Sequence, residues 1–242
     1  MNEKPILIET PEPTAVLWRY MNFKKFISML DRSSLIFTRL DALEDAYEGR
    51  LTLGDYKLME KITNSGFDDY EKVGRKMTKI LNMNIDLIRS GIYVNCWHEN
   101  VNETVFMWSH YAPHGDGIAI KTDFQSLQNS IADEGVVQFG RMKYFVNTDA
   151  SMLQDDRTVP WLIKRKEFEA EKEVRAYFTD YLGAFSVASN VALEVNVPVL
   201  VSEIIVDPSA PDWVVGLVES VASKYDLDKP VTHSSLATEP YS

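Results

Sequence analysis

The sequence predicts an α+β protein with a mixed or antiparallel central sheet flanked by helices. Segments rich in β-branched and aromatic residues outnumber the amphipathic helical segments. Neighbouring strand-like segments are often joined by short turns and do not alternate regularly with helices. The 242 residues are 45% hydrophobic and contain no low-complexity block, which indicates a folded protein throughout. We therefore expect one domain over residues 1–242.

The individual elements follow from local patterns. Asn22 can cap a helix that runs to about residue 30, and a second short helix is predicted after Asn102. Residues 43–52 are predicted as an acidic loop or a first helical turn. Residues 56–90 are mostly helical by pattern and are the place where a helical insertion would lie. The predicted strands cover residues 15–20, 35–38, 91–97, 117–122, 136–145, 170–178, 191–197 and 203–206.

The predicted strand 170–178 carries the most informative charge pattern. Its even positions are mostly apolar and its odd positions mostly charged, a period of two that is typical of a strand. The pleat then places Glu171, Glu173 and Arg175 on one face, with successive Cα atoms about 6.5–7 Å apart. Two carboxylates and a guanidinium on one face are either a catalytic site or a structural ion-pair network. The sequence leaves both interpretations open.

Aromatic residues and one arginine form a second group of candidates. Tyr20 and Trp97, at strand ends, can line a pocket that stacks a planar ring, or they can belong to the core. Arg19 lies between Trp18 and Tyr20, so it faces the other side of its strand. There it is either a surface charge or a fork of donors for a phosphate.

Composition and motifs exclude several classes of function. A net charge of −11 argues against an extended nucleic-acid surface, and no apolar run reaches the length of a membrane span. The chain has no signal-peptide pattern, so we expect a cytoplasmic protein. Its single cysteine, Cys96, cannot form an internal disulfide, and the pattern favours a buried thiol over a nucleophile paired with His98. His110 and His114 do not complete a metal-ligand set, so no metal is predicted.

Several segments resemble one bacterial family, the domain-of-unknown-function family twenty-nine seventy-one. The segments occur in the order found in the family, and together they span nearly the whole chain. The resemblance implies a bacterial protein, and for some members a role in phage defence, but no settled activity. The segments are LWRY at 17–20, LEDAYEG at 43–49, YVNCWHEN at 93–100, ETVFMWSHYA at 103–112, GIAIKT at 117–122, KRKEFEAEKEVRA at 164–176 and SEIIVDPSAPDW at 202–213.

The chain also resembles the ADP-ribosyltransferase architecture, in which an early basic residue, a middle strand and a late Glu-x-Glu line one NAD cleft. This resemblance implies that Arg19 binds a pyrophosphate or ribose. It implies that Glu173 grips the ribose and stabilises positive charge, while Glu171 positions the acceptor. The middle strand departs from the pattern, because residues 95–97 read Asn-Cys-Trp where such enzymes carry Ser-Thr-Ser or a tyrosine.

Three hypotheses follow. In the first, the protein is a transferase or glycohydrolase acting on NAD or a nucleotide glycoside, with NAD as the implied cofactor. In the second, it is a sensor that binds a small molecule or nucleotide without chemistry. In the third, it is a non-catalytic partner protein of a phage-defence system. The first predicts catalytic Glu173 and Glu171, and it predicts ligand-binding residues Arg19, Tyr20, Trp97 and Arg175.

Overall fold

A computed structural model describes residues 8–45, 47–50, 53–55, 57, 85–112, 114–132, 135–146, 159–180 and 188–237. It confirms the α+β class, with a mostly antiparallel sheet flanked by helices. The predicted helical segment 56–90 lies mostly outside the described residues. Within this segment the structure describes residues 57 and 85–90, and these are helical. Within the described residues, no helix combines the length and the apolar character needed to cross a membrane.

Eleven strands are described, and most of them lie where the sequence predicts a strand. They are β1 Val16–Asn22, β2 Ser34–Arg39, β3 Ile92–Glu99, β4 Gly117–Asp123, β5 Gln138–Arg141, β6 Lys143–Phe145, β7 Ile163–Arg165, β8 Glu173–Thr179, β9 Asn190–Glu194, β10 Glu203–Val206 and β11 Val231–His233. β6 and β7 form a separate two-stranded parallel sheet. The other strands belong to one large sheet.

Four of the five helices named below are preceded by a residue whose side chain caps the helix, and the helix Trp213–Lys224 has no side-chain cap. Asn22 Oδ1 accepts a hydrogen bond from Lys25 N, as predicted, and this cap begins the first helix. The predicted cap at Asn102 is wrong, because Thr104 Oγ1 accepts the bond from Met107 N and the helix begins at Val105. The helices are α1 Phe23–Arg32, α2 Val105–Tyr111, α3 Phe124–Ser130, α4 Val197–Leu200 and α5 Trp213–Lys224.

The large sheet has the strand order β11-β10-β4-β1-β3-β2-β9 and branches at β3, which pairs with β1, β2 and β8. One edge of β3 pairs antiparallel with β8 from Ile92 to His98, and β8 pairs in turn with β5. The other edge is shared. β1 pairs with it only as far as His98, and β2 only at Tyr93 and Val94. Among the described strands, none pairs with residues 95–97 on this edge, so the sheet is open there.

Apolar side chains cover both faces of the sheet. The main core packs one face against α1, α3 and α5, and includes Leu17, Phe26 and Trp97. A second cluster on the opposite face packs Trp18 and Tyr20 beneath α2. The opening beside β3 therefore lies between two well-packed regions. The apolar surface buried in these regions stabilises the walls around the opening.

The predicted strand 170–178 is wrong in its first part. Residues Lys166–Glu171 form a 3-10 helix, and Lys172 then adopts a left-handed conformation with φ 39°. The Lys172 N–H donates to Glu169 O at 3.1 Å, which ends the helix, and β8 begins at Glu173. Alternating charged and apolar residues do not distinguish a strand from a short irregular helix. Glu171 consequently precedes the strand that carries Glu173.

We predict that Gly117→Ala destabilises the protein. A Cβ at Gly117 would lie 2.4 Å from Ala112 Cβ and 2.7 Å from Asp207 Oδ2, so the wall between α2 and β4 must shift. Overpacking of this kind costs about 1–3 kcal/mol, measurable by urea denaturation. Gly216→Ala is the control, since that exposed helical glycine has open space around it and should gain about 0.5–1 kcal/mol. Equal stability of both variants would contradict the predicted contact.

Candidate functional site

A cavity of about 970 Å³ occupies the opening beside β3. This volume lies within the range of about 300–1,000 Å³ that is usual for small-molecule sites. β1, β3 and α2 contribute to its walls, together with residues 42–45 and 47–48 and with several residues between 164 and 173. The predicted residues that line it are Arg19, Tyr20, Trp97, Glu171 and Glu173. The structure therefore brings five of the six sequence-predicted site residues to one cavity.

Five buried charged side chains lie together at one side of the cavity, and we call them the charged cluster: Glu48, Lys164, Glu171, Glu173 and Arg175. Lys164 Nζ lies 3.1 Å from Glu48 Oε1, 2.6 Å from Glu171 Oε2 and 3.2 Å from Glu173 Oε2. Arg175 donates from Nη2 to Glu48 Oε2 at 2.7 Å and from Nε to Glu173 Oε1 at 2.8 Å. All five side chains are buried, so the cluster is not a solvated face.

Four separate segments build the charged cluster. The period-two geometry of β8 places Glu173 and Arg175 on the same side of the sheet, as the sequence predicts. β7 supplies Lys164, and the 3-10 helix supplies Glu171. Glu48 comes from the turn that precedes Gly49, whose φ of 70° favours glycine. A Cβ there would also lie 2.6 Å from Leu40 Cδ2, so the glycine lets this turn approach the core.

Arg175 lies behind the carboxylates. Its side chain is 0% exposed, and Nη1 donates to Trp161 O at 2.8 Å, so all three guanidinium nitrogens are engaged by the protein. This placement corrects the prediction of a direct ligand contact by Arg175. The guanidinium instead holds Glu48 and Glu173 in position.

The two predicted catalytic carboxylates have opposite electrostatic environments. Burial alone would raise the pKa of Glu173, but Arg175 and Lys164 outweigh it and lower that pKa to about 2. Burial raises the pKa of Glu171, and Lys164 offsets this only in part. Glu171 Oε1 accepts no hydrogen bond from any residue that the structure describes. Glu173 is thus held ionised, whereas Glu171 holds a proton more readily and keeps one oxygen unpaired.

Arg19 lies on another wall of the cavity. Its Nη1 donates to Asn95 Oδ1 at 2.9 Å and to Cys96 O at 2.7 Å, and its guanidinium lies 5.7 Å from the centre of the Trp97 ring. These contacts lie on the side of β1 opposite Trp18, as the alternation predicts. Nε and Nη2 form no hydrogen bond within the described part of the chain. Half of the guanidinium fork is therefore free to bind an anion.

Tyr20 and Trp97 line the cavity but are also part of the packed interior. Tyr20 packs edge-on against Trp108 with ring centres 4.9 Å apart, and its hydroxyl accepts a bond from Thr104 N. Trp97 belongs to the main core and is 2% exposed. Both interpretations of the sequence hold at once for these rings, because the same side chains close the core and form the cavity wall.

Sequence reasoning missed three members of the site. Lys164, Glu48 and His98 all line the cavity. Lys164 lies in the KRKEFEAEKEVRA segment and Glu48 in the LEDAYEG segment. Their charge within these segments is the feature of the sequence that could have identified them as site residues. Burial raises the pKa of the Cys96 thiol, which keeps it protonated and disfavours a nucleophilic role. Within the described residues, no group of three or more His, Cys, Asp or Glu side chains is arranged to hold a metal ion.

Comparison with known proteins gives a family label for part of the chain. The family model described as "Protein of unknown function (DUF2971)" matches residues 107–176, which confirms the first resemblance over that segment. No curated protein matches the sequence. Solved structures of Thermus sp. 2.9 DarT match the fold at low similarity. The complex with carba-NAD+ has 9% identity and a TM-score of 0.42, and covers 94% of this chain and 98% of DarT.

Two further DarT structures give similar values. The complex with NAD+ has 9% identity and a TM-score of 0.43, and covers 95% of this chain and 99% of DarT. The complex with ADP-ribosylated ssDNA has 10% identity and a TM-score of 0.42, and covers 94% of this chain and 97% of DarT.

We predict that Lys164→Met strongly destabilises the protein. The variant leaves the buried carboxylates of Glu48, Glu171 and Glu173 without their shared cation, and breaking a buried ion pair costs about 3–5 kcal/mol. Lys166→Met is the control, because its ion pair with Glu169 is half exposed and such pairs contribute at most about 1 kcal/mol. Chemical denaturation measures both, and similar losses in the two variants would argue against the cluster.

We also predict a pH-dependent difference between wild type and Glu173→Gln. The folded-state pKa of Glu173, about 2, lies below the unfolded value of about 4.3, so its ionised form stabilises the folded protein above that value. This contribution is lost as the pH falls toward 2. The stability gap between wild type and variant should therefore narrow between about pH 5 and pH 2. A constant gap would show that Glu173 is not held ionised. Glu169→Gln is the control, because its half-exposed ion pair with Lys166 contributes at most about 1 kcal/mol.

Proposed function

We propose that the cavity binds a nucleotide-like glycoside, with NAD as the first candidate, and that the protein breaks its N-glycosidic bond as a transferase or glycohydrolase. One observation carries the proposal: two carboxylates with opposite pKa shifts line a cavity that also presents the free half of the Arg19 guanidinium. Pairs of titratable groups whose pKa values are pushed apart are typical of acid–base sites.

The proposed chemistry assigns a different role to each carboxylate. When the glycosidic bond breaks, the nitrogen of the leaving base keeps the electron pair and C1′ of the sugar becomes positively charged. An ionised Glu173 stabilises that charge. Glu171 accepts the proton of the water or acceptor hydroxyl that forms the new bond to C1′, using the oxygen that no described residue engages.

Arg19 supports a ligand that carries phosphate. Its free Nε and Nη2 form the planar pair of donors that suits two oxygens of a phosphate group. Tyr20 and Trp97 add aromatic surface to the same cavity. NAD combines a diphosphate with a cleavable glycosidic bond to a cationic ring, and the resemblance of Arg19, Glu171 and Glu173 to the ADP-ribosyltransferase pattern makes it the first ligand to test.

One observation favours binding without chemistry. Both oxygens of Glu173 are already engaged, one by Arg175 and one by Lys164, as expected for a carboxylate that shapes a binding site. In this second candidate function, the cavity belongs to a sensor of small molecules or nucleotides. A non-catalytic role in a phage-defence system, and a cytoplasmic location, remain expectations from the sequence.

We predict that the purified wild-type protein releases nicotinamide from NAD and that Glu171→Gln lowers the rate about a hundredfold or more. Removing a general acid or base has an effect of this size. NAD should still stabilise the variant in a thermal-shift assay, because Gln keeps the size of the side chain and binding to the folded state raises its stability. Glutamine at position 171 also retains an oxygen that can accept from Lys164.

Glu169→Gln is the matched control, since Glu169 belongs to the same 3-10 helix but is exposed. It should cleave NAD at the wild-type rate. If NAD stabilises the wild-type protein but no nicotinamide is released, the result favours the sensor hypothesis over the enzyme hypothesis. If NAD, other nucleotides and sugars neither stabilise the protein nor are cleaved, the enzyme hypothesis and the sensor hypothesis are both rejected. Glu173→Gln is less informative, because it also disturbs the partners Lys164 and Arg175.

A further inference from the structure

His98 has a hydrogen-bonding state that its environment determines. The ring lies on β3 and is 1% exposed, and its Nδ1 is 2.6 Å from Glu171 O. A carbonyl oxygen can only accept, so Nδ1 carries the proton and donates it to this bond. Burial lowers the pKa of His98, which favours the neutral ring. Nε2 is therefore a lone-pair acceptor without a proton.

That acceptor has no partner. Nε2 of His98 is buried and forms no hydrogen bond within the described part of the chain. Two other buried polar atoms of residues that line the cavity, Trp97 Nε1 and Ser34 Oγ, also lack partners within the described part of the chain. Buried polar atoms without hydrogen bonds are rare in folded proteins because they lose their hydration without compensation. A donor group of a bound ligand can supply the hydrogen bond that His98 Nε2 lacks.

His98 also stands beside both carboxylates. It is the register partner of Glu173 across β3 and β8, so their side chains are neighbours on the same face. Its Nδ1–H holds the main chain of Glu171 at the end of the 3-10 helix. The edge-on ring of Tyr20, with centres 6.1 Å apart, closes the third side. A ligand next to Glu171 reaches Nε2 when these rings adjust, as side chains at binding sites commonly do.

We propose that His98 Nε2 accepts a hydrogen bond from a sugar hydroxyl of the bound ligand, while Nδ1–H positions Glu171. The proposal rests on the proposed function for the identity of the ligand, a glycoside. It makes His98 a residue that selects ligands with a hydroxyl group beside the scissile bond. A ligand lacking that hydroxyl leaves the buried acceptor unpaired and is disfavoured.

Two substitutions separate the two nitrogens of His98. In His98→Asn the amide nitrogen can replace Nδ1 and donate to Glu171 O, but nothing replaces Nε2. In His98→Gln the longer amide can place an oxygen near the former Nε2, but the donor to Glu171 O is lost. If Nε2 contacts the ligand, His98→Asn should weaken binding about tenfold or more with little change in melting temperature. His98→Gln should keep more of the affinity and lose more of the melting temperature.

The experiment combines calorimetric binding of NAD, nicotinamide riboside and ribose 5-phosphate with imidazole ¹⁵N spectra of the full chain, assigned through His98→Asn. We expect a protonated Nδ1, an unprotonated Nε2, and an upfield shift of the Nε2 resonance when a ribose probe binds. A proton on Nε2 in the free protein, no shift with any of the three probes, or wild-type affinity in His98→Asn would each overturn the inference.

The outcomes distinguish this inference from the proposed function. If a ribose probe shifts the Nε2 resonance and His98→Asn weakens its binding, but NAD is not cleaved, the glycosidase function fails and the acceptor role stands. If NAD is cleaved equally by wild type and His98→Asn, the function stands and the acceptor role is overturned.

Discussion

The shared ion pairs of Lys164 are the interaction on which the site depends. One ammonium group binds three carboxylates from three different segments, and Arg175 binds two of the same carboxylates from behind. Removing five charged groups from water is costly unless each finds partners of opposite charge. The cluster meets this condition with one more carboxylate than cations. All three carboxylates line the cavity, and Glu171 is the member with an oxygen that no described residue engages.

The charged cluster faces the opening in the sheet beside β3. β1 and β2 share one edge of β3 without meeting, and the residues between their pairings have no strand beside them. Arg19 reaches into this gap and binds Cys96 O, an acceptor that a continuous sheet would have used for a strand. The discontinuity therefore creates the cavity and also orients a cation within it. The same backbone feature connects the fold to the proposed ligand site.

Function and stability are difficult to separate in such a site. Glu173 holds the charged cluster together and also lines the cavity, so loss of activity on its substitution has two explanations. Glu171 and His98 offer cleaner tests, because each has one polar atom without a described partner. Their functional atoms can be removed while their structural hydrogen bonds are kept.

The sequence by itself determined the α+β class, most of the strands, the cap at Asn22 and the association of Glu173 with Arg175. These follow from periodicities and local hydrogen bonds that act over a few residues. It misplaced Glu171 on a strand and assigned Arg175 to a ligand. Only the tertiary structure brought Glu48 and Lys164 to the carboxylates and left His98 Nε2 without a partner. Contacts between distant segments depend on how the strands are ordered, and no local pattern encodes that order.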